Sequence, residues 1–147
     1  MKNTIVSIAI LVLIVCCFGF VQRENQSQTD DGKGIHFATI SLDSAKALAT
    51  KTGKLIFIDV HTSWCGPCKA MAKGPFQEEK VGTAYNKKFI NLKIDAEKDA
   101  DGAFVSRAYA VQAYPTLLFI NGKGKLVKKV IGYQYADDLL LLSDMSK

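Results

Sequence analysis

Cys65 and Cys68 stand three positions apart in the string Ser63-Trp64-Cys65-Gly66-Pro67-Cys68-Lys69, directly after the apolar run Leu55 to Val60. Two thiols at that spacing in the first turn of a helix share one face and lie within reach of a disulfide. A bond there opens and closes without remodelling a fold, so thiol–disulfide exchange is the first chemistry to consider. Its nucleophile is a thiolate, and a site must bring one cysteine down from about 8.5 into the range of about 3.5 to 7.5. A helix start supplies the means, because its free N–H groups and positive dipole end favour a negative sulfur at Cys65. Cys65 is therefore expected to attack a substrate disulfide, and Cys68, one turn in and nearer burial, to attack Cys65 in turn and release the product. Pro67 has no N–H to donate and stiffens the loop.

Other residues around this string carry a chemical and a plainer reading side by side. Asp59 lies among Ile56, Phe57, Ile58 and Val60, where a charged carboxylate is costly unless paired; a raised pKa suits it to moving a proton, and capping near the strand end is the alternative. Trp64 is either part of an apolar surface for substrate peptide or a packing residue. His61 ends the strand and reads as structural or as a titrating group. Lys69 and Lys73 read as solvent-facing, with a share in substrate choice as the other option. A Cys-x-x-Cys pair is also half of a zinc ligand set, but the chain offers no second pair beyond the leader, and His36 and His61 lack paired spacing, so neither a metal nor any cofactor is expected. Copper transfer and a non-catalytic binding module remain the rival functions.

The elements that must hold these residues follow from periodicity and punctuation. Residues 36–147 alternate strand-like and helix-like segments, which predicts one α/β domain of about 110 residues. A first short strand is expected over His36 to Ile40. A helix over Leu42 to Thr52, with alanines and leucine at Ala45, Leu48 and Ala49, has Ser41 or Asp43 as cap and Gly53 as stop. Leu55 to Val60 reads as a central strand covered on both faces. Helices are expected from Cys65 to about Ala72, interrupted or ended at Gly74-Pro75, and over Phe76 to Asn86 through Phe76, Val81 and Tyr85. A strand follows over Phe89 to Ile94, then a short helix over Asp101 to Tyr109 with Phe104, Val105 and Ala108 facing inward. Thr116 to Ile120 and Leu126 to Ile131 form a hairpin around Asn121-Gly122-Lys123-Gly124, and Tyr135 to Met145 closes the chain as a helix. The expected order is β-α-β-α-β-α-β-β-α.

The chain's first segment differs in kind. Residues 1–21 hold Met1, Lys2 and the uncharged run Ile5 to Val21, and a polar linker covers residues 22–35. The run fits a secretory signal cut after Gly19, a bacterial lipoprotein leader lipidated at Cys16 or Cys17, or a membrane anchor, since a span needs about 17 to 25 apolar residues. Each reading sends residues 36–147 across a membrane, into the bacterial envelope, where disulfides persist. Cys65 and Cys68 are then the only cysteines of the folded body, which excludes a stapled disulfide framework. A hydrophobic share of 48%, a charged share of 22% and a net charge of +5 suit a globular domain able to bury its own core. The lysines are interspersed with acids, so no nucleic-acid partner is expected.

Trp-Cys-Gly-Pro-Cys-Lys after the second expected strand, with a proline entering the penultimate strand, resembles the thioredoxin-like fold over about residues 36–147. Within that superfamily the passage His61 to Lys69 and the segment Met71 to Phe76 are similar to exported domains related to the C-terminal domain of the thiol:disulfide interchange transporter. The resemblance implies a central mixed sheet flanked by helices and makes Cys65 the attacking thiol, Cys68 the resolving thiol, and Gly66 and Pro67 the tuning dipeptide. It implies that Asp59 is the buried acid that helps move the proton of the resolving cysteine. It makes Pro115 a cis proline facing the dithiol, Tyr114 the residue whose backbone pairs with substrate, and Gly132 a glycine near the site. The Gly-Pro dipeptide resembles reducing members, which implies protein disulfides as substrates, a membrane-embedded electron donor and a monomer. His61, Thr62, Pro75 and Asn91 depart from the cytoplasmic pattern; Asn91 stands where a lysine commonly neighbours the buried acid.

Overall fold

The structure is a computed structural model and describes residues 34–144. The expected leader and most of the polar linker lie outside the described residues. Helix α1 (Leu42–Thr52) starts where the Ser41 hydroxyl accepts the Ser44 N–H at 3.2 Å. It stops at Gly53, whose φ of 72° turns its N–H back to the Ala49 carbonyl at 2.8 Å.

Strand β1 (Leu55–His61) follows and is the centre of the sheet. It runs parallel to β2 (Phe89–Asp95) and antiparallel to β3 (Thr116–Ile120), and β4 (Leu126–Ile131) pairs antiparallel with β3 to complete the order β2-β1-β3-β4. Between β1 and β2 lie α2 (Gly66–Lys73), a 3₁₀ turn over Pro75–Gln77 and α3 (Glu79–Lys88). Pro75 has no N–H to continue the ladder of α2, so the chain leaves that helix at Gly74 and restarts four residues after the proline. Helix α4 (Gly102–Ala108) joins β2 to β3, and α5 (Ala136–Asp144) follows β4. The hairpin turn is held by Asn121, whose side-chain oxygen accepts the N–H groups of Lys123 and Lys125, each at 3.0 Å.

The two faces of β1 feed two cores. Ile56, Ile58 and Val60 point to one side with Leu42, Ala45 and Ala49 of α1 and Val105 of α4. Phe57 points to the other, with Met71, Phe76, Tyr85, Phe119 and Leu139, and its ring centroid lies 4.8 Å from that of Tyr85 and 5.2 Å from that of Phe119. Asp59 shares the parity of Phe57, so its carboxylate belongs to the layer that α2 covers. Cys68 and Met71 are the buried residues of α2 on that same layer.

Two expectations are corrected. Residues 36–40 form no strand: the Ala38 N–H reaches the Asn91 carbonyl at 2.8 Å, but the Asn91 side chain, not a backbone N–H, answers the His36 carbonyl at 3.2 Å. One ladder bond does not make a strand, and the sheet has four strands among the described residues. In α4 only Val105 of the expected trio is buried; Phe104 is 53% exposed and Ala108 is exposed, because a helix of 7 residues meets the core along one narrow stripe. In α1, Leu48 is exposed while Ala45 and Ala49 turn inward, small enough for the helix to sit close on β1.

Candidate active site

Cys65 and Cys68 form a disulfide with their Cα atoms 5.3 Å apart. Strand β1 delivers the chain to a tight turn, in which the Cys65 N–H donates to the Thr62 carbonyl at 3.2 Å, and Cys65 then becomes the N-cap of α2. Its sulfur accepts the Cys68 N–H at 3.1 Å. A free amide of the helix's first turn is thereby aimed at the atom that must carry negative charge in exchange. The sequence reading placed Cys68 nearer burial than Cys65; in the oxidised pair both residues are 3% exposed, so position on the helix, not burial, distinguishes them. Gly66, Pro67, Lys69 and Lys73 are exposed along the same helix.

A second element reaches the site from β3. The Tyr114–Pro115 peptide is cis, as the resemblance implied, and Pro115 is buried. Just behind it the Thr116 hydroxyl donates to the Ala113 carbonyl at 2.7 Å, and Thr116 pairs with Val60 of β1. Gly132, at a φ of 92° that favours glycine, donates its N–H to the Pro115 carbonyl at 2.8 Å and so backs this loop from β4. Tyr114 meets Trp64 ring to ring, with centroids 5.9 Å apart at 82°. Trp64 is 64% exposed, next to the disulfide in sequence.

Asp59 is 1% exposed, and the partner near it is Lys93, not a group at position 91. The register of β1 with β2 sets Asp59 opposite Lys93 and Phe57 opposite Asn91. The Asn91 side chain points away to the His36 carbonyl and the Asn86 side-chain oxygen. The Lys93 ammonium lies 3.8 Å from the Asp59 carboxylate, close enough for attraction but too far for a hydrogen bond, and that Oδ2 has no hydrogen-bond partner. Burial therefore outweighs the lysine and pushes the Asp59 carboxyl up from 3.8 to about 7. His61 is half-buried and is held below its ordinary value by burial first and by Lys93 second.

Sequence reasoning missed two members of this neighbourhood. Lys93 is fixed by strand register, which no local motif announces. Glu97 accepts the Trp64 indole N–H, with both oxygens at 3.1 Å from Nε1, across a separation of 33 residues. Thr62 lies between β1 and the dithiol, 1% exposed, with a hydroxyl that has no partner.

Comparison with known proteins agrees with this geometry. A family model described as thioredoxin-like matches residues 38–122. A thioredoxin H-type of Oryza sativa subsp. indica is 37% identical over 100 residues, covering 66% of this chain and 72% of the rice protein. Thioredoxin-1 of Drosophila yakuba is 30% identical over 105 residues, covering 71% of this chain and 89% of the fly protein. Among solved structures, a candidate disulphide-isomerase from Bacteroides thetaiotaomicron superposes with a TM-score of 0.68 at 39% identity, over 80% of this chain and 99% of that one. The oxidised C-terminal domain of Neisseria meningitidis DsbD superposes with a TM-score of 0.60 at 20% identity, over 77% and 99%, a likeness of fold. A Cys-Gly-Pro-Cys disulfide capping a helix, on this fold and with these relatives, establishes that the chain belongs to the thioredoxin-like family and is a thiol–disulfide oxidoreductase.

Proposed function

We propose that this protein reduces protein disulfides in the bacterial cell envelope, drawing its electrons from a membrane-embedded donor. The observation that carries the chemistry is the Cys65–Cys68 disulfide with Cys65 as helix cap. In the reduced protein the Cys65 thiolate attacks one sulfur of a substrate disulfide; a mixed disulfide forms and the first substrate thiolate leaves. The Cys68 sulfur then attacks Cys65, closes the Cys65–Cys68 bond and releases the second substrate thiolate. Asp59, as its carboxylate, takes the Cys68 proton and returns it to one leaving substrate thiolate, and the other substrate thiolate takes its proton from water. Two electrons have moved from protein to substrate, and the donor must return two to reopen the pair. The Gly66-Pro67 dipeptide supports the reducing direction through its resemblance to reducing members, and Trp64, Tyr114 and Pro115 supply the peptide seat.

Insulin with dithiothreitol as donor tests the reaction: the chain is expected to accelerate reduction of the interchain disulfides well above the dithiothreitol background, and a rate equal to background overturns it. A measured potential near that of strong periplasmic oxidants overturns the direction. Location rests on residues 1–21, whose lysine start and apolar run support export. Fractionation of bacteria expressing the full chain is expected to place it outside the cytoplasm, and deletion of residues 1–21 is expected to return it there.

A further inference from the structure

Lysines that the sequence intersperses with acids are gathered by the fold at one end of the sheet, the end away from the dithiol. Leu55 of β1 pairs with Phe89 of β2, and Ile56 pairs with Ile120 of β3, so the segments 50–55, 86–89 and 121–125 meet there. The Lys54 ammonium donates to the Asn86 carbonyl at 3.4 Å, and Gly122 lies against the Thr50 backbone and hydroxyl, where a Cβ would not fit. These segments hold Lys51, Lys54, Lys87, Lys88, Lys123 and Lys125 and no Asp or Glu. Asp144 reaches this end from α5 and is taken up by Lys88 at 2.7 Å. Lys51, Lys87, Lys123 and Lys125 are exposed, and none of them forms an ion pair among the described residues. Helix ends favour Lys51 and Lys87, in the last turns of α1 and α3, but Lys123 and Lys125 stand on a hairpin turn with no helix end to serve.

The opposite charge collects at the dithiol end, where Asp95, Glu97, Asp99 and Asp101 lie between β2 and α4, and Asp137 and Asp138 open α5. The 7 residues of β1, about 20 Å, separate the two ends. The chain also enters the domain at the lysine end. Next to Lys87, the Asn86 side chain donates to the Gly34 carbonyl at 3.1 Å and its oxygen accepts the His36 N–H at 2.9 Å. From there the backbone passes along β2 to Leu42, whose N–H donates to Asp101 at 2.8 Å. Residues 22–33, even fully extended, span at most about 40 Å. An apolar run at Ile5 to Val21 seated in a bilayer therefore keeps the lysine end close to that surface. We propose that the lysine end lies on an anionic lipid headgroup surface, with residues 1–21 in the same bilayer and the dithiol turned to the aqueous side. Clustered lysines are drawn to acidic headgroups while the carboxylates at the far end are repelled, so the charge distribution sets orientation as well as attraction. Substrate disulfides and the projecting part of an electron donor then meet the Cys65 end.

The test places the full chain on vesicles of phosphatidylcholine alone and of equal parts phosphatidylcholine and phosphatidylglycerol, and follows acetylation of each lysine by mass spectrometry. Lys51, Lys87, Lys123 and Lys125 are expected to react about fivefold more slowly on the anionic vesicles, with Lys69 and Lys73 on α2 unchanged. Salt at about 1 M, where the screening length is about 3 Å, is expected to remove the difference. The triple variant Lys51→Gln, Lys123→Gln, Lys125→Gln is expected to bring the protection of Lys87 to about twofold or less, while Lys51→Arg, Lys123→Arg, Lys125→Arg keeps it. Equal labelling on the two vesicle types overturns the proposal, as does slowing at Lys69 and Lys73 instead, a difference that survives salt, or a chain that binds neither vesicle. Slowing that appears in detergent without lipid and grows with protein concentration assigns this end to a second copy and also overturns it. Every readout is independent of disulfide reduction, so failure of the proposed reaction and failure of the docking are told apart.

Discussion

Cys65→Ser is expected to abolish disulfide reduction, whereas Cys68→Ser is expected to stop each molecule after one attack, covalently joined to its substrate. The asymmetry comes from the helix end. Only Cys65 caps α2, with its sulfur facing the Cys68 amide, so only Cys65 is set up to attack an outside disulfide. Without it, Cys68 begins one turn inside the helix with no amide aimed at its sulfur, and turnover is expected to fall by about three orders of magnitude or more. With Cys65 alone, the mixed disulfide forms and nothing on the protein resolves it. Non-reducing electrophoresis of cells expressing Cys68→Ser is expected to show adducts that dithiothreitol releases, and mass spectrometry of them names both the substrates and the direction of flow. Adducts on Cys65→Ser in place of Cys68→Ser would reverse the assignment of the two sulfurs.

Asp59→Asn is expected to stabilise the protein at pH 8 and to leave its stability unchanged below about pH 4. The carboxyl is lifted by burial, and Lys93 only moderates that rise, so the folded state binds the Asp59 proton more tightly than the unfolded chain does. Stability from this group is therefore full below the unfolded value of 3.8 and is lost progressively as pH rises toward about 7, above which the loss levels off. A rise from 3.8 to about 7 corresponds to about 4 kcal/mol at the plateau, as an order of magnitude. Denaturant unfolding of wild type and Asp59→Asn across pH 4 to 8 reads the difference directly; equal curves at both ends would show that Asp59 is not held protonated by its surroundings. The same substitution is expected to remove an inflection near pH 7 from the turnover rate, and Lys93→Met to move that inflection upward, since the ammonium is the group that lowers Asp59.

How much of this was legible in the sequence depended on range. The dithiol, its helix, the stop at Gly74-Pro75 and the hairpin around Asn121 are written within a few residues each, and they were found. The bounds of α1, β3 and β4 followed from caps and turns in the same way. What failed was non-local. Residues 36–40 have strand-like residues, but whether they join a sheet depends on what β2 offers at its edge, and there the Asn91 side chain occupies part of the ladder. Asn91 stands where the family pattern commonly places a lysine near the buried acid, whereas the parallel register puts Lys93 opposite Asp59, two residues on from Asn91. Phe104 was placed inside with Val105 and Ala108, although α4 is too short to bury more than one stripe. The Trp64–Glu97 bond links residues that no motif connects.

The hydrogen bond from the Cys68 amide to the Cys65 sulfur ties the electron store to the architecture of the domain. A thiolate accepts such a bond more strongly than a disulfide sulfur does, so the first turn of α2 is better secured when the pair is reduced. Around a thermodynamic cycle, whatever the fold gains by holding the reduced pair better than the oxidised one appears as a more oxidising potential of the dithiol relative to the unfolded chain. The backbone at one helix end thus acts as a bias on the redox couple, and any substitution that loosens that turn would retune the potential without touching either cysteine.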